Sequence, residues 1–276
     1  MGALAPRHSE TPTGSSHPCR FPPEIVEMII THLEYDVQTL KACAAACFSW
    51  YNIAIPLIHR TLILRRWVSK KKFKHGRPNP LPSLLKHGLL PFVQRLQFTA
   101  TISPARWIVG AVFDSRDLRY FPAMVNLQEL KIEDLDFTLL PVGFEKSLGH
   151  FAPTLRSVAL TRPNGTRRQL VDFFRLFPKL DDIEISRHYP TWEVPDTQPI
   201  PISGGLRGRL TLTDFLEEEL LEDIAIAFGG MRFTSMDLWR IRGMRLLLEA
   251  CSDTLETLCL DPHDEYPNQY FLSERV

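Results

Sequence analysis

The sequence predicts an α/β protein in which a short all-helical segment precedes a stack of alternating strands and helices. Three observations support this. Residues 21–64 carry apolar positions at helical spacing, in short stretches separated by turn residues. From about residue 91 onward, an apolar-x-x-apolar-x-apolar pattern recurs along the chain. Helix-like stretches fall between its copies, and this alternation is typical of a stacked solenoid.

The composition is that of an ordinary globular protein with balanced charge. Of 276 residues, 44% are hydrophobic and 23% charged, and 32 basic residues face 32 acidic ones. We therefore expect no global attraction to nucleic acid or membrane. No apolar run reaches the roughly 18 residues of a membrane span. Five scattered cysteines favour free thiols in a reducing compartment, cytoplasmic and/or nuclear.

Two segments are expected to lie outside the folded regions. Residues 1–20 are rich in Pro, Ser, Thr and Gly and predict a disordered tail. Residues 65–90 predict a basic, Pro-rich linker that begins RRWVSKKKFKHGR. This basic run fits a nuclear localisation signal, an anion-binding patch or a plain charged linker.

Residues 21–64 predict three short helices. The first has prolines at its start, where proline is tolerated, and apolar residues every four positions on one face. Asp36 is expected to cap the second helix. The first helix carries Pro22, Pro23, Ile25, Ile29 and Leu33; the second should turn Leu40, Cys43, Ala44 and Cys47 inward. The third should begin near Phe48, carry Trp50, Ile53, Ala54, Leu57 and Ile58, and break or kink at Pro56.

Residues 91–276 predict about seven irregular repeats. The segments VQRLQF, LQELKI, LRSVAL, LDDIEI, RGRLTL, FTSMDL and LETLCL align, with separations close to those of leucine-rich repeats. Helix-like stretches at 144–151, 168–177, 214–228 and 243–252 lie between them, and a Pro-rich loop replaces one helix. The aligned central residues are Leu96, Leu130, Val158, Ile183, Leu210, Met236 and Leu258.

Residues 21–64 resemble the F-box, particularly the form found in many fungal F-box proteins with divergent leucine-rich repeats. The similarity includes the Pro-Pro-Glu-Ile opening, the LxxC…C…W run and the trailing RTLIL. Phe21 stands where Leu is usual, and Phe48 stands where Arg commonly precedes Ser-Trp. The later repeats resemble, by pattern, the substrate-binding half of such proteins.

This resemblance implies a non-catalytic substrate receptor of a Skp–cullin–F-box ubiquitin ligase. In that family the F-box binds the Skp adaptor, the adaptor joins a cullin scaffold, and the other domain selects a protein substrate. For Ile29, Leu33 and Leu40, simple core packing remains an alternative. The adaptor-binding positions that the resemblance implies are Pro22, Pro23, Ile25, Ile29, Leu33, Leu40, Cys43, Cys47 and Trp50.

Strand alternation places the residues on either side of each central position on the concave, open face, where a substrate would dock. Large aromatic and Arg side chains near the strand ends are further candidates, because such residues dominate interface hot spots. Core packing of Trp192 onto the solenoid is an alternative. The candidate substrate-binding residues are Glu129, Lys131, Asp182, Glu184, Tyr189, Trp192, Arg209, Asp237, Trp239 and Arg240.

No catalytic, cofactor or metal motif is evident in the sequence. Cys43 and Cys47 share a helix face, but a zinc site would need two further ligands. We therefore expect neither metal, cofactor nor enzymatic activity. Two other hypotheses remain: a repeat scaffold that binds the adaptor without delivering a substrate for ubiquitination, and an enzyme with a divergent site.

Overall fold

The computed structural model describes residues 21–67, 79–101, 118–137, 140, 142–186, 206–213, 231–239 and 244–260. The chain divides into two compact units, Met1–Ile58 and His59–Val276. The expected tail, residues 68–78 of the basic segment, most of the Pro-rich loop and the expected helix at 214–228 lie outside the described residues. Within the described ranges, no helix has both the length and the apolar character that a membrane crossing requires.

The first unit contains three helices, α1 (Pro23–His32), α2 (Val37–Ala46) and α3 (Phe48–Ile58). Asp36 caps α2 as predicted, accepting hydrogen bonds from the backbone N–H groups of Gln38 and Thr39, both at 3.1 Å. The Thr39 hydroxyl donates to the same carboxylate at 2.6 Å and is the main cause of a lowered pKa for Asp36. Helix α3 runs two residues beyond Pro56, so this proline does not end it.

The core of the first unit is small. Its buried residues are Val26, Ile30, Leu40, Cys43 and Ala54, and Leu33, Trp50 and Ile53 are among the partly buried residues packed on them. The inward face of α1 is thus formed by Val26 and Ile30. The expectation that Cys47 points inward is wrong. Cys47 ends α2 with extended backbone (φ −162°, ψ 166°), which carries its side chain out of the helix and into solvent.

The second unit is built on a parallel sheet of eight strands in the described residues, each hydrogen-bonded to the next along the chain. The α/β class is therefore confirmed. The strands are β1 (Thr61–Trp67), β2 (Arg95–Thr101), β3 (Glu129–Glu133), β4 (Ser157–Thr161), β5 (Asp182–Ser186), β6 (Leu206–Thr213), β7 (Met231–Trp239) and β8 (Thr257–Leu260). The connections hold α4 (Leu81–Lys86), α5 (Phe144–Leu148), α6 (Arg167–Arg175), α7 (Met244–Cys251) and 3-10 turns at Leu90–Phe92, Phe121–Ala123 and Gly149–Phe151.

The predicted alignment of the central residues is confirmed, but the first position of the fifth segment is corrected: Gly208, not Arg207, pairs with Phe233, because the register shifts between Gly208 and Arg209. The seven aligned central residues, Leu96 to Leu258, are successive Cα partners across the sheet. Leu62 of β1 extends the same row by pairing with Leu96. Residues 61–67 therefore belong to the sheet and not to the helical unit, and the expected linker contributes the end of β1, α4 and a 3-10 turn.

One pattern of backbone hydrogen bonds recurs from each strand–helix repeat to the next and includes β1. The carbonyl of Arg60 accepts the N–H groups of Gln94 and Arg95, both at 2.9 Å. The carbonyl of Gln94 in turn accepts those of Gln128 and Glu129, at 2.8 and 3.0 Å. The same arrangement follows at Gln128 and at Arg156. Equivalent positions thus bond to each other just before each strand, and this fixes the strand register.

One face of the sheet packs against the connecting helices to form the core of the second unit. Alternate strand residues point into this core, and phenylalanines from the connections fill the space between neighbouring strand–helix repeats. Phe121 lies 5.2 Å from Phe151 and 6.3 Å from Phe98, measured between ring centroids. Phe173 of α6 makes edge contacts with Phe137 and Phe177 at 5.7 and 5.4 Å.

Candidate protein-binding surfaces

The helical unit exposes apolar side chains along α1. Ile25, Met28 and Ile29 follow the spacing of one helix face, and all three are exposed, Ile29 to 46%. Phe21 precedes them and is also exposed. Contiguous exposed apolar rows of this kind are typical of protein-binding surfaces.

The predicted adaptor-binding residues fall into three groups. Pro22, Pro23, Ile25, Ile29 and Cys47 are exposed, and Leu33 and Trp50 are partly buried against the core. Leu40 and Cys43 are buried, with Leu40 at 0% exposure. Those two assignments are corrected: both side chains pack on Val26 and Ile30 inside the helical unit and cannot contact a partner in this conformation.

The sequence interpretation did not include several exposed apolar residues of the helical unit, among them Met28, Phe48 and Tyr51. Met28 completes the exposed face of α1, and its position three residues after Ile25 is the signal that could have identified it. Phe48 is 78% exposed at the first position of α3, and Tyr51 is exposed one turn later. Phe48 and Tyr51 are likewise three residues apart, which places them on the same face of α3.

The second unit presents an open strand face opposite its core. By alternation, the residues between the buried positions of each strand point to this face. The first row across the sheet runs Arg95, Glu129, Ser157, Asp182, Arg209 and Ser235. The second runs Gln97, Lys131, Ala159, Glu184, Thr211 and Asp237.

Polar side chains on the open face bond across neighbouring strands. Arg95 Nε lies 2.9 Å from Glu129 Oε2. Gln97 Nε2 donates to Glu133 Oε1 at 3.2 Å, and Ser157 Oγ donates to Asp182 Oδ2 at 3.1 Å. The ion pair is partly exposed and the two hydrogen bonds are partly buried, so each makes a modest contribution to stability and together they order the face.

Arg209 forms an ion pair with Asp237 on the open face. Its Nε donates to Asp237 Oδ2 at 3.0 Å, and its Nη2 also contacts that oxygen. The hydrogen bond to Asp237 and its charge raise the pKa of Arg209, and the carboxylates of Asp182 and Glu184 add to the effect. Arg209 therefore lies in a locally acidic part of the face.

The predicted substrate-binding residues on the strands lie on the open face as expected, from Glu129 and Lys131 on β3 to Asp237 on β7. Leu238 is buried and Trp239 is 45% exposed, so the predicted register at the end of β7 is confirmed. Three of the predicted residues, Tyr189, Trp192 and Arg240, lie outside the described residues.

Among the residues that the structure describes, no group of three or more His, Cys, Asp and Glu side chains is placed to hold a metal ion. A cavity of about 430 Å³ lies between α5 and α6 and is lined in part by Phe137, Phe144, Phe173, Lys146 and Asp172. These connections lie on the helical side of the sheet, away from the open strand face.

No protein-family model matches the chain, and no curated protein shows a significant sequence match to it.

Proposed function

We propose that this chain is the non-catalytic substrate receptor of a Skp–cullin–F-box ubiquitin ligase. The helical unit binds the Skp adaptor, and the open strand face binds a protein substrate. The observation that carries the proposal is the exposed row Ile25, Met28 and Ile29 on α1, on a unit with five buried residues in its core. A helix with one face in a core and another apolar face in solvent suits a partner groove.

The resemblance of residues 21–64 to the F-box supports this assignment of the apolar row. The two prolines at the start of α1 are exposed, so they are free to contact a partner. With Leu40 and Cys43 assigned to the core, the proposed adaptor surface keeps the other predicted residues and adds the exposed Met28 and Phe48. The residues kept are Pro22, Pro23, Ile25, Ile29, Cys47 and the partly buried Leu33 and Trp50.

The regular sheet supports the substrate-binding half of the proposal. Parallel strands that follow one another along the chain and alternate with helical connections are typical of leucine-rich repeats, which present one face of side chains to a partner. The open face offers polar and charged side chains on six successive strands, β2 to β7, and an exposed Trp239 at the end of β7. Large aromatic residues of this kind dominate protein interfaces.

The alternative function is a repeat scaffold that binds the adaptor without delivering a substrate. Affinity purification of the tagged full chain with mass spectrometry, with and without proteasome inhibition, separates the two functions. A receptor co-purifies with Skp adaptor and cullin, together with proteins that accumulate on the receptor and carry ubiquitin when the proteasome is inhibited. A scaffold retains the adaptor, but its other partners do not change with inhibition.

A further inference from the structure

We draw no further inference here: the strongest candidate, the open edge of the sheet at β8, where Leu258 and Leu260 hold core positions and are exposed, carries none, because nothing in the described part of the chain shows what covers it.

Discussion

Arg162 and Asp134 form a bidentate ion pair between equivalent positions of neighbouring strand–helix repeats. Arg162 Nε lies 2.5 Å from Asp134 Oδ1, and Nη2 donates to Oδ2 at 2.8 Å. Each residue directly follows its strand, and each has positive φ, 57° for Asp134 and 51° for Arg162. Asp134 is 2% exposed. The pair therefore joins two strained turns and neutralises a buried carboxylate.

Arg162→Ala should lower the free energy of unfolding of the second unit more than Asp134→Asn does. Arg162→Ala leaves a buried carboxylate without its guanidinium and should cost about 2–3 kcal/mol, less than for a fully buried pair because Arg162 is partly exposed. Tm should fall by roughly 5–10 °C. Asp134→Asn should cost less, because Asn also tolerates positive φ and the guanidinium left behind reaches solvent. Thermal melts of both variants check the order; the reverse order would contradict this role of the pair.

Gly208 of β6 is a position that only glycine can occupy. Its φ is 91°, and a Cβ there would lie 1.9 Å from the carbonyl oxygen of Asp181. The same carbonyl accepts the N–H of Arg209 at 2.7 Å, and the register with β7 shifts at this point. Gly208→Ala should therefore separate β5 from β6 locally and destabilise the unit by more than ~1 kcal/mol.

Gly149→Ala is the matched control for that substitution. Gly149 has φ −55°, and a Cβ there would meet no atom within 4 Å. The alanine should leave stability unchanged or raise it by about 0.4–1 kcal/mol, through a less flexible unfolded chain. Chemical denaturation of both variants gives the comparison, and similar losses at the two positions would refute the steric account.

The repeat register was predictable because it depends on a pattern that the sequence carries locally. Six of the seven aligned segments have apolar residues at the same three positions, and Arg207 breaks the first position of RGRLTL. Strand alternation then decides which side chains face the core. Strand β1 was missed although Leu62 and Leu64 alternate in the same way and Leu62 precedes Leu96 by the interval that separates Leu96 from Leu130. The segment RTLIL also fits the end of the F-box pattern, and local sequence does not distinguish these two assignments.

The faces of the helical unit were harder to predict. Every helix there has more apolar positions than its core can bury, so spacing alone does not say which row faces inward. Val26 and Ile30 share one row of α1, and Ile25 and Ile29 share the next. The choice between these rows depends on how α1 packs against α2 and α3, which is tertiary information.

Trp239 should contribute to substrate capture and little to stability. Trp239→Ala should change the free energy of unfolding by no more than ~0.5 kcal/mol, since the side chain is substantially exposed. Leu238→Ala, at the buried neighbouring position, should cost about 2–5 kcal/mol. Quantitative mass spectrometry should show Trp239→Ala losing the ubiquitinated partners that accumulate under proteasome inhibition while it retains the adaptor. A Tm loss of several degrees in Trp239→Ala would place this side chain in the core.

The chain expressed alone should be poorly soluble. The exposed face of α1 is apolar, and at the last described strand Leu258 and Leu260 are 41% and 46% exposed although their register is that of core residues. Exposed apolar surface of this kind promotes association. Co-expression with the adaptor should raise the soluble yield, as measured by size-exclusion chromatography. A monodisperse, stable monomer without the adaptor would contradict the prediction.

Adaptor binding by the helical unit is the central claim, and co-purification of the Skp adaptor with the tagged full chain measures it most directly. Replacement of Pro23 by Ala together with Ile25 by Asp should abolish co-purification, because both residues belong to the exposed start of α1. Thr31→Asp, at an exposed position on another side of the same helix, should retain the adaptor at the level of the unmodified chain. Undiminished adaptor binding by the double variant, or no binding by the unmodified chain, would contradict the assignment.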